Sequence, residues 1–395
     1  MTENIEIEVE NQPGFTLQIY QKAKDVSNDI WEKYNSRKHP FRSMNFYCAL
    51  EKTFLQREYA YIEGKIGNKT KMFLITSLEP FDLNAFLPGF IKRFSLFVRK
   101  WKPRFFTLMM GMSGCLETSM EHWWFEKDFQ LTKNVVEKLL DKIREVFPLM
   151  RVLVFRDFTH LDSSGQVLKK HLSSLGFGEV LNFPTCIINP ENRTLEEHYN
   201  RLKRKARASV RRADRLTNEN ELKLEKLKID EKSIEQIYPL YLQVHERAET
   251  FQRPPFPKEF FKEIMKQMEH EAHFLLVRDK NSKIEGFILG GISDRIYCPY
   301  MIGLNYEVAS KYQLYRMLLW EAIKFAFHEG VQEIDMGITS YFIKQDYGSQ
   351  LIDMQMFIKF YPTFVHKIMK YFLNKIFDAP QPNKRKSFKL SDNSR

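Results

Sequence analysis

AHFLLVRDKNSKIEGFILGGI, residues 272–292, is the stretch from which the fold can be read. Two apolar runs of strand length, Ala272–Arg278 and Ile284–Ile292, flank Asp279-Lys280-Asn281-Ser282, whose short polar side chains suit a hairpin turn. Toward the C-terminus, 297–304 reads as a third strand, 312–328 as a long helix, and Gly330 leads into a fourth strand at 331–336. Toward the N-terminus lie a helix at 258–268, the proline-rich 253–257, a helix at 233–248 and a strand at 222–229. Strands alternating with helices of this length belong to an α/β fold.

A comparable order occurs upstream. Helices are expected at 25–34 and 41–55, and strands at 58–64, 71–77 and 105–110, the last leaving into a loop at Gly111-Met112-Ser113-Gly114. A helix at 131–146, a strand at 151–155 and a helix at 166–175 stopped by Gly176 follow. Around 190–220 the composition turns abruptly basic. The expectation is an N-terminal domain (1–190), a basic connecting helix (191–220), a C-terminal domain (221–378) and a basic disordered tail (379–395).

The whole chain has 395 residues, enough for two cores, and 43% hydrophobic with 28% charged residues is globular composition. Four dispersed cysteines form neither a CxxC pair nor a disulfide framework, which fits a reducing cytoplasm. No apolar run reaches membrane-spanning length, and the acidic start MTENIEIEVE is unlike a secretory signal. A net charge of +11 favours anionic partners.

That charge is concentrated in 201–215, where eight basic residues face the single acid Asp214. Leu202, Ala206, Val210 and Ala213 fall at offsets 0, 4, 8 and 11, so a helix would bury them and leave a positive rail. Arg204, Arg207 and Arg211 on that rail suit phosphate recognition by guanidinium forks. A solvated helix packed at the domain junction and a generic DNA-binding helix are the other readings. The second chemically dense stretch is GVQEIDMGITSYFIKQDYG, 330–348, where a strand ends at Asp335 and Gly337 before a polar loop with Lys344, Tyr347 and Gly348. A purely structural loop is the competing reading.

The series LEEHYNRLKRKARASVRRADR, YLQVHERAE with PPFPKEFF, KIEGFILGG, YQLYRMLLWEAIKFAFHEG and IDMGITSYFIKQDYG resembles the FemAB-like, double-domain branch of the GNAT acyltransferase superfamily. The likeness is clear over about 151–348 and loose before it. It implies tandem GNAT-like domains with mixed sheets, an α/β (α+β) class, and transfer of an acyl or aminoacyl group to an amine. The donor implied is an acyl-CoA. In ordinary GNAT enzymes a glycine-rich helix start holds the pyrophosphate, but the matching stretch 307–316 contains no glycine. Aminoacyl-tRNA, the donor of the branch members that build peptidoglycan bridges, therefore stays open, as does a non-catalytic nucleic-acid or membrane-surface binder that keeps the fold. The acceptor would be a small-molecule or lipid-linked amine.

No GxSxG or matched Cys/His nucleophile is visible, in keeping with direct attack by the amine. Position in the resemblance nominates Asp335 as acceptor for the amine, Tyr347 as proton donor to the leaving group and Lys344 as partner for negative charge. It adds His245, Arg247, Gly337 and Gly348 as substrate contacts, and Arg204, Arg207 and Arg211 for the donor. The HEAH pair His270 and His273 lacks further ligands at a familiar spacing, so no metal is assigned. His122 reads as part of a packed aromatic corner with Trp123 and Trp124. Two amphipathic stretches, 83–101 and 365–377, mix apolar with basic residues as peripheral membrane segments do, although a lid or packing element has the same pattern. The location expected is the cytoplasm, with contact at the inner membrane surface.

Overall fold

The computed structural model describes residues 14–82, 89–227, 231–248, 254–385 and 388, with the backbone of 3–6. The chain divides into two units, each assembled from separated segments. The first comprises Met1–Tyr34, Phe54–Phe183 and Asp353–Gln381; the second comprises Asn35–Thr53, Pro184–Ile352 and Pro382–Arg395.

In the first unit the strands run Phe15–Tyr20, Glu58–Ile66, Lys69–Asp82, Thr107–Ser113, Val152–Phe158, and then 353–360. All pair antiparallel except Thr107–Ser113 with Val152–Phe158. Alternation along Val152–Phe158 sends Leu153 and Phe155 into a core with Val135, Leu139 and Ile143 of helix Lys133–Val146. Val152 and Val154 go to the opposite face, against Leu373 of helix Thr363–Phe377. A strand buried on both faces needs continuous apolar sequence, and VLVFRDF supplies most of it.

The second unit repeats the plan with Lys223–Leu227, Ala272–Arg278, Ile284–Ile292, Ile296–Leu304, Glu333–Gly337 and the end of Gly178–Ile188. Its one parallel pair, Ile296–Leu304 with Glu333–Gly337, occupies the corresponding place. Leu275, Val277 and Ile288 pack against helix Leu314–His328, while Phe261 of helix Lys258–Gln267 meets Phe287 on the other face. The fold is thus α/β with a tandem arrangement of mixed sheets. No helix among the described residues is long and apolar enough to cross a membrane.

The compact units differ from the expected division at 190 and 220 because each takes its last strand from the other half of the sequence. Residues 355–360 pair with 152–158 in the first unit, and 186–188 pair with 334–337 in the second. The basic segment is no connector: it lies within the second unit and is two helices, Leu195–Arg201 and Arg204–Glu219. Thr194 and Glu197 open the first with a reciprocal cap, and the chain breaks at buried Leu202 and exposed Lys203. The predicted stripe holds, with Ala206, Val210 and Ala213 buried in the core that contains helix Leu314–His328.

Two further expectations are corrected. Strand Thr107–Ser113 continues through the supposed loop at Gly111-Met112-Ser113, since a bare Gly111 leaves room for Met150, whose Sδ would lie 2.2 Å from a Cβ there. Part of the tail expected to be disordered is placed. Gln345 accepts the Arg385 N–H at 2.7 Å and donates to the Asn383 carbonyl at 3.2 Å, and Phe388 bridges Leu202. The remaining tail, 386–387 and 389–395, lies outside the described residues.

Candidate active site

All the residues of this site belong to the second unit. Strand Glu333–Gly337 shares two residue pairs with its parallel neighbour, Glu333 with Ile296 and Ile334 with Tyr297. Beyond them the two strands run on without a shared ladder, and Asp335 sits where the pairing stops. On the other side the register with Gly178–Ile188 passes from Asp335 opposite Ile187 to Gly337 opposite Cys186, a local bulge that re-aims the strand end. Strand ends released from their ladder are where open α/β sheets present polar groups to ligands.

Asp335 is buried and fully engaged. Its Oδ1 accepts from the Gly337 N–H at 2.8 Å and the Thr185 hydroxyl at 3.1 Å, and its Oδ2 lies 3.3 Å from His39 Nε2. The Phe41 N–H donates to His39 Nδ1 at 3.2 Å, so that nitrogen accepts and His39 Nε2 is the side that donates to Asp335. Burial alone would raise the Asp335 pKa. Burial is the largest single influence, but the hydrogen bond and charge of His39 with the bonds from Gly337 and Thr185 together outweigh it and hold the carboxyl below its ordinary range.

His39 was not among the residues singled out from the sequence. It arrives on the turn Pro40–Arg42, and Gly291 permits the approach: a Cβ there would lie 2.7 Å from the Phe41 ring and 3.0 Å from Pro40. Phe41 stacks on Tyr300 with centroids 4.2 Å apart, while Arg37 pairs with Glu333 at 2.7 Å and Lys38 with Asp294 at 2.6 Å. The visible signal was the GG of KIEGFILGG, a strand interior stripped of side chains where another backbone comes close.

Cys298 Sγ completes a cluster with His39 and Asp335 in which the ligand-type atoms all lie within 4.8 Å of one another. The tautomer fixed by Phe41 puts a proton, not a lone pair, on the His39 nitrogen facing that cluster. Burial pushes the Cys298 and Cys186 thiols up, so neither supplies a thiolate near neutral pH.

Lys344 lies on the helix Tyr341–Asp346, where a loop was expected, after two left-handed residues, Thr339 and Ser340. Its ammonium donates to the Ile338 carbonyl at 2.6 Å and the Gly337 carbonyl at 3.2 Å. Burial lowers its pKa, and the negative charges of Cys186 and Asp335, where present, work the other way. Asp335 and Lys344 therefore share one electrostatic neighbourhood about Gly337. Tyr347 does not join them: it is buried against Trp320 and its hydroxyl donates to the Arg316 carbonyl at 3.2 Å. Gly348 packs by His198 and Phe388, not at Asp335. A cavity of about 270 Å³ lined by Gln345, Ser349, Leu351, Lys384 and Arg385 adjoins the same helix.

After Leu304 the chain enters the short helix Tyr306–Tyr312. The N–H groups of the first helical turn, Tyr306 to Ala309, are all taken: Tyr306 by Gln243, Glu307 by the Asn305 side chain, Val308 and Ala309 by the Asn305 carbonyl. Gln313, left-handed with φ 53°, then separates helix Tyr306–Tyr312 from Leu314–His328. Beside this turn Arg247 stacks its guanidinium on Tyr306 at 3.9 Å, and half-buried His245 lies against Tyr241. Of the three arginines proposed for the donor, Arg204 is exposed, Arg207 donates to the Asn200 carbonyl and Arg211 to the Tyr199 hydroxyl. The HEAH pair is split, with His270 exposed and His273 buried between Tyr297 and Phe325.

Residues 204–347 match the family described as acetyltransferase (GNAT) domain. No curated protein matches the chain in sequence. Among solved structures it is similar to FemX, with TM-score 0.57 at 12% identity over 87% of this chain and 98% of that one. It is also similar to a tandem GNAT protein from the clavulanic acid biosynthesis pathway, with TM-score 0.52 at 8% identity over 87% and 98%. A third is the C-terminal domain of a putative lysylphosphatidylglycerol synthetase from Agrobacterium fabrum, with TM-score 0.51 at 10% identity over 87% and 96%. Residues 204–347 thus match an acetyltransferase (GNAT) domain, and the chain as a whole shares its fold with FemX and with the tandem GNAT protein.

Proposed function

We propose that this protein transfers an acyl or aminoacyl group from an activated ester or thioester to an amine at the strand end that carries Asp335. The observation behind the reading is a buried carboxylate kept ionised by three hydrogen-bond donors at the point where the parallel strands part. A carboxylate below its ordinary pKa is a weak base for a neutral amine but a strong counter-charge for the ammonium that forms on attack. The amine nitrogen makes the new C–N bond and the carrier's C–S or C–O bond breaks. The proton of that ammonium passes by way of Asp335 to the departing thiolate or alkoxide. Neutral thiols at Cys186 and Cys298 fit direct transfer without a covalent enzyme intermediate. Lys344 serves by holding the Gly337 and Ile338 carbonyls and by its positive potential toward the donor, and Arg247 by lying beside the helix start.

The test is to follow label from a donor into amine product with Asp335→Asn. A fall of about 100-fold or more with an unchanged fold supports the role, and a near-unchanged rate sinks it.

For the donor, the GNAT domain match favours an acyl-CoA. Aminoacyl-tRNA is the second reading, favoured by the absence of glycine from 307–316 and by the helix start at Tyr306, whose N–H groups are already bonded. Competition between acetyl-CoA and charged bulk tRNA in a filter-retention assay separates the two. The acceptor is a small-molecule or lipid-linked amine, the latter bringing the protein to a membrane surface from the cytoplasmic side.

A further inference from the structure

More than half of the large apolar side chains exposed among the described residues belong to two segments of the first unit. One is the helix Thr363–Phe377, which is apolar on two opposite sides. His366 and Leu373, seven apart, face the core with Met110, Val152 and Ile358. Phe364, Ile368, Tyr371 and Phe372, at offsets 0, 4, 7 and 8, form a second stripe directed to solvent, with Phe364 66% and Tyr371 79% exposed. A helix that only packs on a sheet needs one apolar stripe.

The other segment is 93–104, RFSLFVRKWKPR, in which Phe94, Leu96, Phe97 and Trp101 are exposed, Trp101 to 83%. Both segments attach at one end of one strand pair. Arg99 ties 93–104 to Asp82 at 2.7 Å and to Thr107, and Phe81 and Leu108, paired next to them, pack against the same core cluster as Val365 and Met369 of the helix. The charge within the two segments has a single sign, and the flanking acids Asp82 and Asp378 are bonded to Arg99 and to the Leu181 N–H. Lys367, Lys370 and Lys375 on the helix and Arg93, Lys100, Lys102 and Arg104 on the other segment are exposed, and neither segment contains an acid.

We infer that this face of the first unit docks on an anionic lipid bilayer, its aromatic and aliphatic side chains entering the headgroup boundary and its lysines and arginines meeting lipid phosphates. A second copy of the chain fits worse, because a two-fold contact would set lysine stripe against lysine stripe with no acid to answer it. The inference deepens the lipid-linked alternative for the acceptor, but it rests on the first unit alone and holds whether or not a group is transferred.

The experiment is co-sedimentation of the full chain with vesicles of phosphatidylcholine alone and of phosphatidylcholine containing about one-third phosphatidylglycerol, with and without added salt. Binding to the anionic vesicles that weakens with salt is expected. The triple variant Phe364→Ser, Tyr371→Ser, Phe372→Ser should lower it about tenfold or more. Since all three side chains are exposed, its far-ultraviolet circular dichroism should match the parent. A blue shift of tryptophan emission on binding, lost in Trp101→Phe, reports the second segment independently. No binding, equal binding to neutral vesicles, or self-association in place of binding overturns the inference.

Discussion

His39 and Asp335 are 296 positions apart in sequence, and the behaviour of one depends on the other. In His39→Ala, burial of Asp335 loses its largest counterweight, and the carboxyl pKa should climb. The acid limb of the transfer rate then moves to higher pH, by a unit or more on the scale of such shifts, while Asp335→Asn abolishes the limb. In the parent, a depressed carboxylate contributes stability above its unfolded value of about 3.9 and loses it only as pH falls through the lower folded value. His273 offers the opposite case at the same scale, a ring whose nitrogens have no hydrogen-bond partner and whose pKa burial drives down to about 3. Folded His273 stays neutral while the unfolded ring takes a proton below about 6.5, so stability is lost as pH falls from there toward the folded value. His273→Phe should therefore stabilise the protein by about 1 kcal/mol at neutral pH. The gain should grow by about 2 kcal/mol more near pH 5, read from denaturant midpoints at the two pH values. A gain that does not grow on acidification would show that the ring finds a partner in solution.

Two elements outside the strand that carries Asp335 were each legible only in part. The strand Ile284–Ile292 was legible from its apolar run, but Gly291 gains meaning only when Pro40 and Phe41 lie against it, while Gly290 makes room for the Tyr297 ring. Gly291→Ala should push that turn and His39 with it, slowing transfer more than it lowers stability, where a cost of about 1 to 3 kcal/mol is the usual range for overpacking. Equal loss of both would mean simple unfolding. The basic helix was legible in its buried stripe and not in the break at Leu202, which no glycine or proline announces and which follows from the burial of Leu202 itself. Since Arg207 and Arg211 hold the short helix Leu195–Arg201, their charge is partly structural. Arg204→Gln with Arg212→Gln and Arg215→Gln, all exposed, should lower affinity for RNA and reduce the salt slope by about two to three units if the rail meets phosphates.

At the scale of the molecule, exchange of the last strands makes neither half of the sequence self-sufficient. A fragment ending at 190 lacks 353–360, leaving Val152–Phe158 as an uncovered edge whose core partners Phe357 and Ile358 are missing. That fragment should aggregate or melt without cooperativity, whereas the full chain should give a cooperative transition; sharp, dispersed amide resonances from the fragment alone would refute this. What the sequence by itself determined was most of what has a short period: the identity of many strands and helices through 2.0 and 3.6 repeats, the hairpin at Asp279–Ser282, the buried stripe of the basic helix, and the tandem order of elements. Asp335 and Lys344 were nominated because a strand end and the stretch after it are local features too. Which unit a segment joins, the transfer of 35–53 into the second unit, the presence of His39, the withdrawal of Tyr347 into the core and the occupied N–H groups at Tyr306 were decided by tertiary structure. Each depends on a contact between residues far apart in the chain, and such contacts leave no periodic trace in the residues that make them.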